Sequence, residues 1–335
     1  MKLRHSILGV LLTVTASGAP ADFREIYSLA ASNLVGVTKA QLDAAAVKGL
    51  LTEFAGRLSL GEAPDTATNN AEKPLARSTV YENSFVYFRI GKVAGDLSAE
   101  LRQAWQALTE TNKDKIKGVV LDLRFADGQD YAAAGAAADC FLTVGEPLLE
   151  WPGGSANSTK KDEAISVPVA LLVNGRTAGA AEALAAVLRA TDRALTIGGK
   201  TAGQASVFKE FTLANGQKLR VATAEIRLAG GPSLAEPLTP DIPVDSTLAD
   251  DQGHVADPYK DLHADTNATA AVKHPGRRFN EAELVREQRA GLNPGEDVPN
   301  SLPPAPTPPL LADPALARAL DLLKGLSALG NGRPG

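Results

Sequence analysis

The sequence predicts an α/β chain organised on a mostly parallel sheet, and three observations carry that prediction. Between residues 85 and 197, short apolar runs alternate with stretches of helical periodicity, the order that lays helices over a sheet. The runs IKGVVLDLR (116–124) and VPVALLV (167–173) are almost continuously apolar, as strands covered on both faces require. Residues 167–207 read as strand, tight turn, helix, second short strand and Gly-containing loop. The helix start in such a unit gathers backbone N–H groups, where negative charge is stabilised.

Composition narrows the classes. With 335 residues, 44% of them hydrophobic, the chain can bury a sizeable core. A net charge of −5 without a Lys/Arg cluster argues against nucleic acid as a partner. Residues 1–21 have the form of a signal peptide. Lys2, Arg4 and His5 give a positive start, residues 7–14 are apolar, and Ala19-Pro20-Ala21 suits cleavage after Ala21. The apolar run is too short to span a bilayer. A periplasmic or secreted location, with no membrane span in the mature chain, is therefore expected.

The elements follow in order. Residues 22–60 read as a helical segment: Thr38 with Gln41 makes a capping box, and Leu42, Ala46, Leu50, Phe54 and Leu58 form one apolar stripe. Residues 61–80 are polar and aperiodic, a linker. The core is expected over 81–248. It opens with strand 85–90, helix 97–108, strand 116–124 and helix 132–142, which carries the single cysteine, Cys140, as a buried thiol. Strand 167–173 breaks at Asn174-Gly175, and helix 178–190 follows. Two later strands joined by Asn215-Gly216 read as a hairpin, and Pro240 and Pro243 mark a blunted closing edge. Residues 249–312 are loop-rich and end Pro-rich. His254, His263 and His274 fall there at spacings that match no standard ligand pattern, so no metal and no other cofactor is expected. A last helix, 313–328, starts at Pro314 and carries Leu316, Leu320 and Leu323 on one face.

Several of these stretches resemble the C-terminal processing (tail-specific) serine peptidases. The segment NGRTAGAAE (174–182) is similar to the family's N-G-x-S-A-S-A-S-E, whose middle Ser is the nucleophile. GGKTAGQASV (198–207) is similar to G-E-K-T-x-G-K-G, whose later Lys is the general base. FVYFRI and LDLR, the Lys48-Gly49-Leu50-Leu51 run and PLTPDIPV have counterparts as well. The resemblance implies a ClpP/crotonase-like core of stacked β and α units, with an N-terminal helical arm and a C-terminal helix. It covers most of the chain, minus the PDZ domain that relatives commonly carry where residues 61–80 stand.

The same alignment places Gly179 at the nucleophile, Gln204 at the base and Phe208 at its supporting Gln. A glycine cannot attack a carbonyl, and a neutral amide does not take a proton from a hydroxyl. Thr177 and Lys200 are the fallback candidates, although the Thr177 hydroxyl is better placed to cap the helix. Gly128, in FADGQ where the family has N-N-P-G-G, and Ala180 are the expected oxyanion-type backbone positions. Glu182 reads as a helix-surface or supporting carboxylate. The expected function is a catalytically degenerate pseudopeptidase that binds a peptide or unfolded protein segment along an edge at Ala205, Ser206 and Val207. The alternative is an active serine-type endopeptidase with non-standard residues. A crotonase-like hydratase finds no acidic pair or CoA signature. The sequence assigns no oligomeric state.

Overall fold

The computed structural model describes residues 21–61, 73–112, 115–260 and 311–330. The leader up to Pro20, most of the expected linker, His263, His274 and the Pro-rich run before Leu311 lie outside the described residues.

Two units are distinguished, Met1–Leu58 and Ser59–Gly335. In the first, helix α1 (Phe23–Asn33) is capped by Asp22 and helix α2 (Lys39–Glu53) by the Thr38–Gln41 box that the spacing predicts. The helical segment ends earlier than expected. Gly56 takes φ 84°, a conformation that terminates helices, and a three-residue strand, β1 (Leu58–Leu60), follows.

The second unit is built on a six-stranded sheet ordered β12-β8-β7-β4-β3-β2. Strands β3 (Phe85–Ile90), β4 (Gly118–Asp122), β7 (Val169–Val173), β8 (Ala194–Gly198) and β12 (Ile242–Pro243) run parallel. The outer strand β2 (Leu75–Tyr81) pairs antiparallel with β3. It occupies part of the stretch read as linker. An edge strand is half exposed, so LARSTVY lacks the apolar run that marks β4 and β7.

Period-two alternation decides what each strand covers. Val86, Phe88, Leu121 and Leu171 face one side and pack under helices α3 (Leu97–Thr111), α4 (Tyr131–Asp139) and α5 (Ala180–Ala190). Phe85, Tyr87, Val120 and Leu172 face the other, covered by Leu316, Leu320 and Leu323 of helix α7 (Pro314–Gly330). The second unit is thus layered helix, sheet, helix. Cys140, the C-cap of α4, is buried, and burial pushes its thiol up.

Two smaller features differ from the expectation. Strands β5 (Pro147–Trp151) and β6 (Gly154–Asn157) form a hairpin, joined at its edge by β11 (Arg227–Leu228). Helix α6 (Leu248–Ala256) stands where loop was expected, because Thr247 accepts from the Asp250 N–H and caps it. His254 is therefore buried on a helix. The hairpin at Asn215-Gly216 is present as β9 (Ser206–Thr212) against β10 (Lys218–Glu225).

Candidate functional site: a closed strand-to-helix turn

The site lies at the C-terminal ends of β3, β4 and β7, where ligands bind in open parallel sheets. Its floor is charged. Arg124, just past β4, is 1% exposed, and its Nη2 stands 2.7 Å from both Asp122 Oδ2 and Asp313 Oδ2. Tyr87 Oη donates to Asp122 at 2.8 Å. Burial acts to raise the Asp122 carboxyl, but the guanidiniums of Arg124 and Arg89 outweigh it and hold the group below its ordinary value. Asp313 also accepts from the Ala315 and Leu316 N–H groups at the start of α7. Asn174 Nδ2, at the end of β7, donates to Asp251 of α6 at 3.0 Å.

Above this floor runs the turn from β7 to α5. Thr177 is fully buried; its hydroxyl donates to the Leu123 carbonyl at 2.8 Å and accepts from the Asn174 N–H at 3.0 Å. It does not cap α5. The hydroxyl sits three residues before the helix and is taken up by the strand ends. Lys200 is exposed and lines a cavity of about 250 Å³ beside Asn174, Gly198, Asp251 and Ala315; Gly128, Gly179 and Gln204 do not line it. The two fallback residues are therefore not brought together as a hydroxyl–amine pair.

Gly179 opens α5 with φ 59° and ψ −120°. A sharp, strained strand-to-helix turn of this kind presents the nucleophile in other hydrolases. Here the position is filled from the other side. A Cβ on Gly179 would meet the Gly128 carbonyl oxygen at 2.2 Å and Gln129 Nε2 at 2.9 Å. That same carbonyl accepts from the Ala180 N–H at 2.9 Å and from Gln129 Nε2 at 2.9 Å. The Ala180 amide expected to face an oxyanion is already bonded within the chain. Gly128 itself adopts φ 149°, and a Cβ there would meet the Val93 carbonyl oxygen at 2.2 Å. Only glycine permits both close approaches.

Glu182 is 3% exposed and closes the turn from below, not on the helix surface. It accepts from the Gly179 N–H at 3.0 Å, the Gly203 N–H at 2.6 Å and the Gln204 N–H at 2.7 Å. Burial pushes its carboxyl up, against the pull of the Thr201 hydroxyl and these amides. Glu182 thus ties the Gly203-Gln204 backbone to the start of α5, which is why the two motif positions adjoin although 25 residues separate Gly179 and Gln204.

Strand β9 follows at once. Ala205 and Ser206 are buried and Val207 is half-buried. The Tyr131 hydroxyl donates to the Ser206 carbonyl at 2.9 Å. Phe208 carries the Arg220 guanidinium over its ring, 3.8 Å from the centroid. Sequence reasoning missed Arg220, Gln129 and Tyr131. The strand alternation of KLRVATAE could have placed Arg220 on the Phe208 face; nothing in DGQDY signals that Gln129 folds back on Gly128.

Residues 84–244, just under half of the chain, match the family described as Peptidase family S41. A carboxy-terminal-processing protease of Bartonella bacilliformis is 32% identical over 164 residues, 47% of this chain and 37% of that protein. The chloroplastic C-terminal processing peptidase of Tetradesmus obliquus is 26% identical over 272 residues, 70% of this chain and 57% of that protein. The chain thus spans less than two thirds of the length of either relative. A crystal structure of a presumed peptidase from Parabacteroides merdae superposes with a TM-score of 0.52 at 15% identity, covering 70% of this chain and 85% of that one. That likeness concerns the fold.

Proposed function

We propose, for a chain that carries a Peptidase family S41 domain over residues 84–244, that it is a secreted or periplasmic relative of the C-terminal processing peptidases that binds peptide segments without hydrolysing them. The single observation that carries the reading is the Gly128 carbonyl lodged against Gly179. Acyl transfer needs an attacking group, a proton acceptor and N–H donors aimed at the developing oxyanion. Gly179 supplies no side chain, Gln204 supplies a neutral amide, and the Ala180 N–H is spent on Gly128. Loss of a nucleophile alone lowers turnover by roughly 10⁴- to 10⁶-fold.

Support for binding comes from β9. It is the outer strand of its sheet, so one edge is left without a strand partner among the described residues. Such an edge can take an extended peptide through main-chain hydrogen bonds. Because the Ser206 carbonyl is engaged by Tyr131, the pairing would begin at Val207 and not at Ala205. Location rests on the leader; no helix among the described residues is long and apolar enough to cross a membrane.

The test is a cleavage and binding assay with an unfolded protein and fluorescent extended peptides. The expected result is saturable binding with no product formation over days. Turnover that disappears in Thr177→Ala or Lys200→Ala would instead establish the active endopeptidase with non-standard residues.

A further inference from the structure

The surface around the closed turn carries more cations than it uses. Lys92 follows β3 and Arg176 follows β7 in the main sheet, while Arg220 stands on β10 of the neighbouring sheet over Phe208, and all three charges act on the Asp127 carboxyl. Lys92 pairs in a β-bridge with Asp127, in the loop after β4, and the Val93 N–H donates to the Asp127 carbonyl at 2.7 Å. None of the three side chains makes an ion pair or a hydrogen bond among the described residues. Glu210, the cross-strand neighbour of Arg220, is ion-paired with Lys218 at 3.5 Å.

Asp127 acts on all three cations, and Glu210 acts on Arg220 as well. Asp127 has a buried Oδ1 without a hydrogen-bond partner. Burial pushes its carboxyl up, while Lys92, Arg176 and Arg220 all pull it down. Burial also lowers the half-buried Arg220. A guanidinium held on an aromatic ring, partly stripped of water and without a carboxylate at contact distance, is primed for a bidentate anion. Asp127 balances at most one of the three charges.

We infer that this cationic surface beside the β9 edge selects acidic peptide segments, with Arg220, Lys92 and Arg176 receiving Asp or Glu side chains of a strand laid beside β9. The inference rests on the peptide-binding reading above and names its ligand class. The geometry suits carboxylates spaced two residues apart, because alternate side chains of an added strand point to one face. Arg220 fixes one of them; Lys92 and Arg176 set the field that attracts the rest.

The test uses the full mature chain and ten-residue fluorescent peptides read by anisotropy. An amidated peptide with alternating Glu, an amidated Ser/Ala peptide, an amidated Lys peptide and a Ser/Ala peptide with a free C-terminal carboxylate are compared at low and high salt. The Glu peptide is expected to bind at least about tenfold more tightly than either neutral peptide, and to lose that margin at about 0.5 M salt, where the Debye length falls to a few ångströms. Lys92→Gln/Arg176→Gln, two changes outside the core, should reduce the margin severalfold. Arg220→Gln should abolish it, and Arg220→Lys should restore it in part, with thermal unfolding confirming that each variant folds. Equal, salt-insensitive binding of Glu and neutral peptides overturns the acidic selectivity and leaves peptide binding standing. Preference for the free C-terminal carboxylate over internal Glu also overturns it. Absence of binding by all four overturns both.

Discussion

Within seven residues, strand β4 and the loop after it show two ways of closing a polar interior. At Asp122 and Arg124 the closure is made by side chains: charges from β4 and α7 meet at 2.7 Å, with Asp251 of α6 at 3.7 Å. At Gly128 it is made by backbone: one carbonyl accepts the Ala180 amide and occupies the space a side chain on Gly179 would need. The first closure depends on residue chemistry and tolerates no change of partner. The second depends on residue absence. The charged support beneath the turn and the turn itself are therefore separable. The charged floor ties β4 to the start of α7 whatever happens above, whereas the turn holds Gly179 at φ 59° with the Gly128 carbonyl against it.

The sharpest way to break the contrast is at the floor. Asp313→Ala leaves Arg124 buried without one of its three carboxylates and removes the acceptor that caps α7. Breaking a buried pair from one side costs about 3–5 kcal/mol, so this variant should show a large loss of urea stability. Asp313→Asn, which keeps an acceptor for the helix amides, should fall between it and the native chain. A loss below about 1 kcal/mol for Asp313→Ala would mean that the floor does not hold α7, and the comparison would fail.

At the turn, the effect is steric. Gly179→Ser combines a strained backbone with a Cβ forced toward a carbonyl at 2.2 Å. Such strain costs on the order of 1–3 kcal/mol, and overpacking adds about as much. Gly216→Ala is the control: its φ of 81° is also positive, but nothing lies within 4 Å. It should cost only about 1–2 kcal/mol. The two variants, measured in the same urea series, separate backbone strain from the filled site. The same clash predicts that Gly179→Ser/Gln204→Lys gains no peptidase activity unless the 125–129 loop moves.

How much of this was legible depends on the kind of signal. The continuous apolar runs of β4 and β7 gave strands, alternation gives the face of each residue but not the strand partners, and the 25-residue spacing between Gly179 and Gln204, which resembles the family's, put both in one site. The capping of α2 by Thr38 and Gln41 was readable because the interaction is local. By contrast, β2 and α6 were hidden by polar composition, since each buries only part of its surface. The role of Gly128 was not readable at all: a backbone carbonyl placed against Gly179 leaves no residue-type signature. Glu182 fell between these cases. Its position one turn into α5 was evident, but its burial follows from the backbone of Gly203 and Gln204 arriving from 21 residues away.

Glu182 and Asp122 then offer the finest test, because the two closures should titrate in opposite senses. Asp122 is held below its ordinary value of 3.8. Its contribution is present above that value and is lost as pH falls through the lower folded value. Glu182 is pushed above its ordinary 4.5 by burial. Its contribution is full below 4.5 and is lost as pH rises through the folded value. The native chain and Glu182→Gln are therefore compared by urea unfolding in steps from about pH 4.5 to about pH 7, the span over which a raised carboxyl titrates. Glutamine keeps the size and one acceptor but cannot ionise, so the stability advantage of the native chain should shrink as pH rises. An advantage that grows with pH would mean that the three amides outweigh burial and hold an ionised carboxylate. The turn would then be closed by charge, just as β4 is, and the distinction between the two regions would disappear.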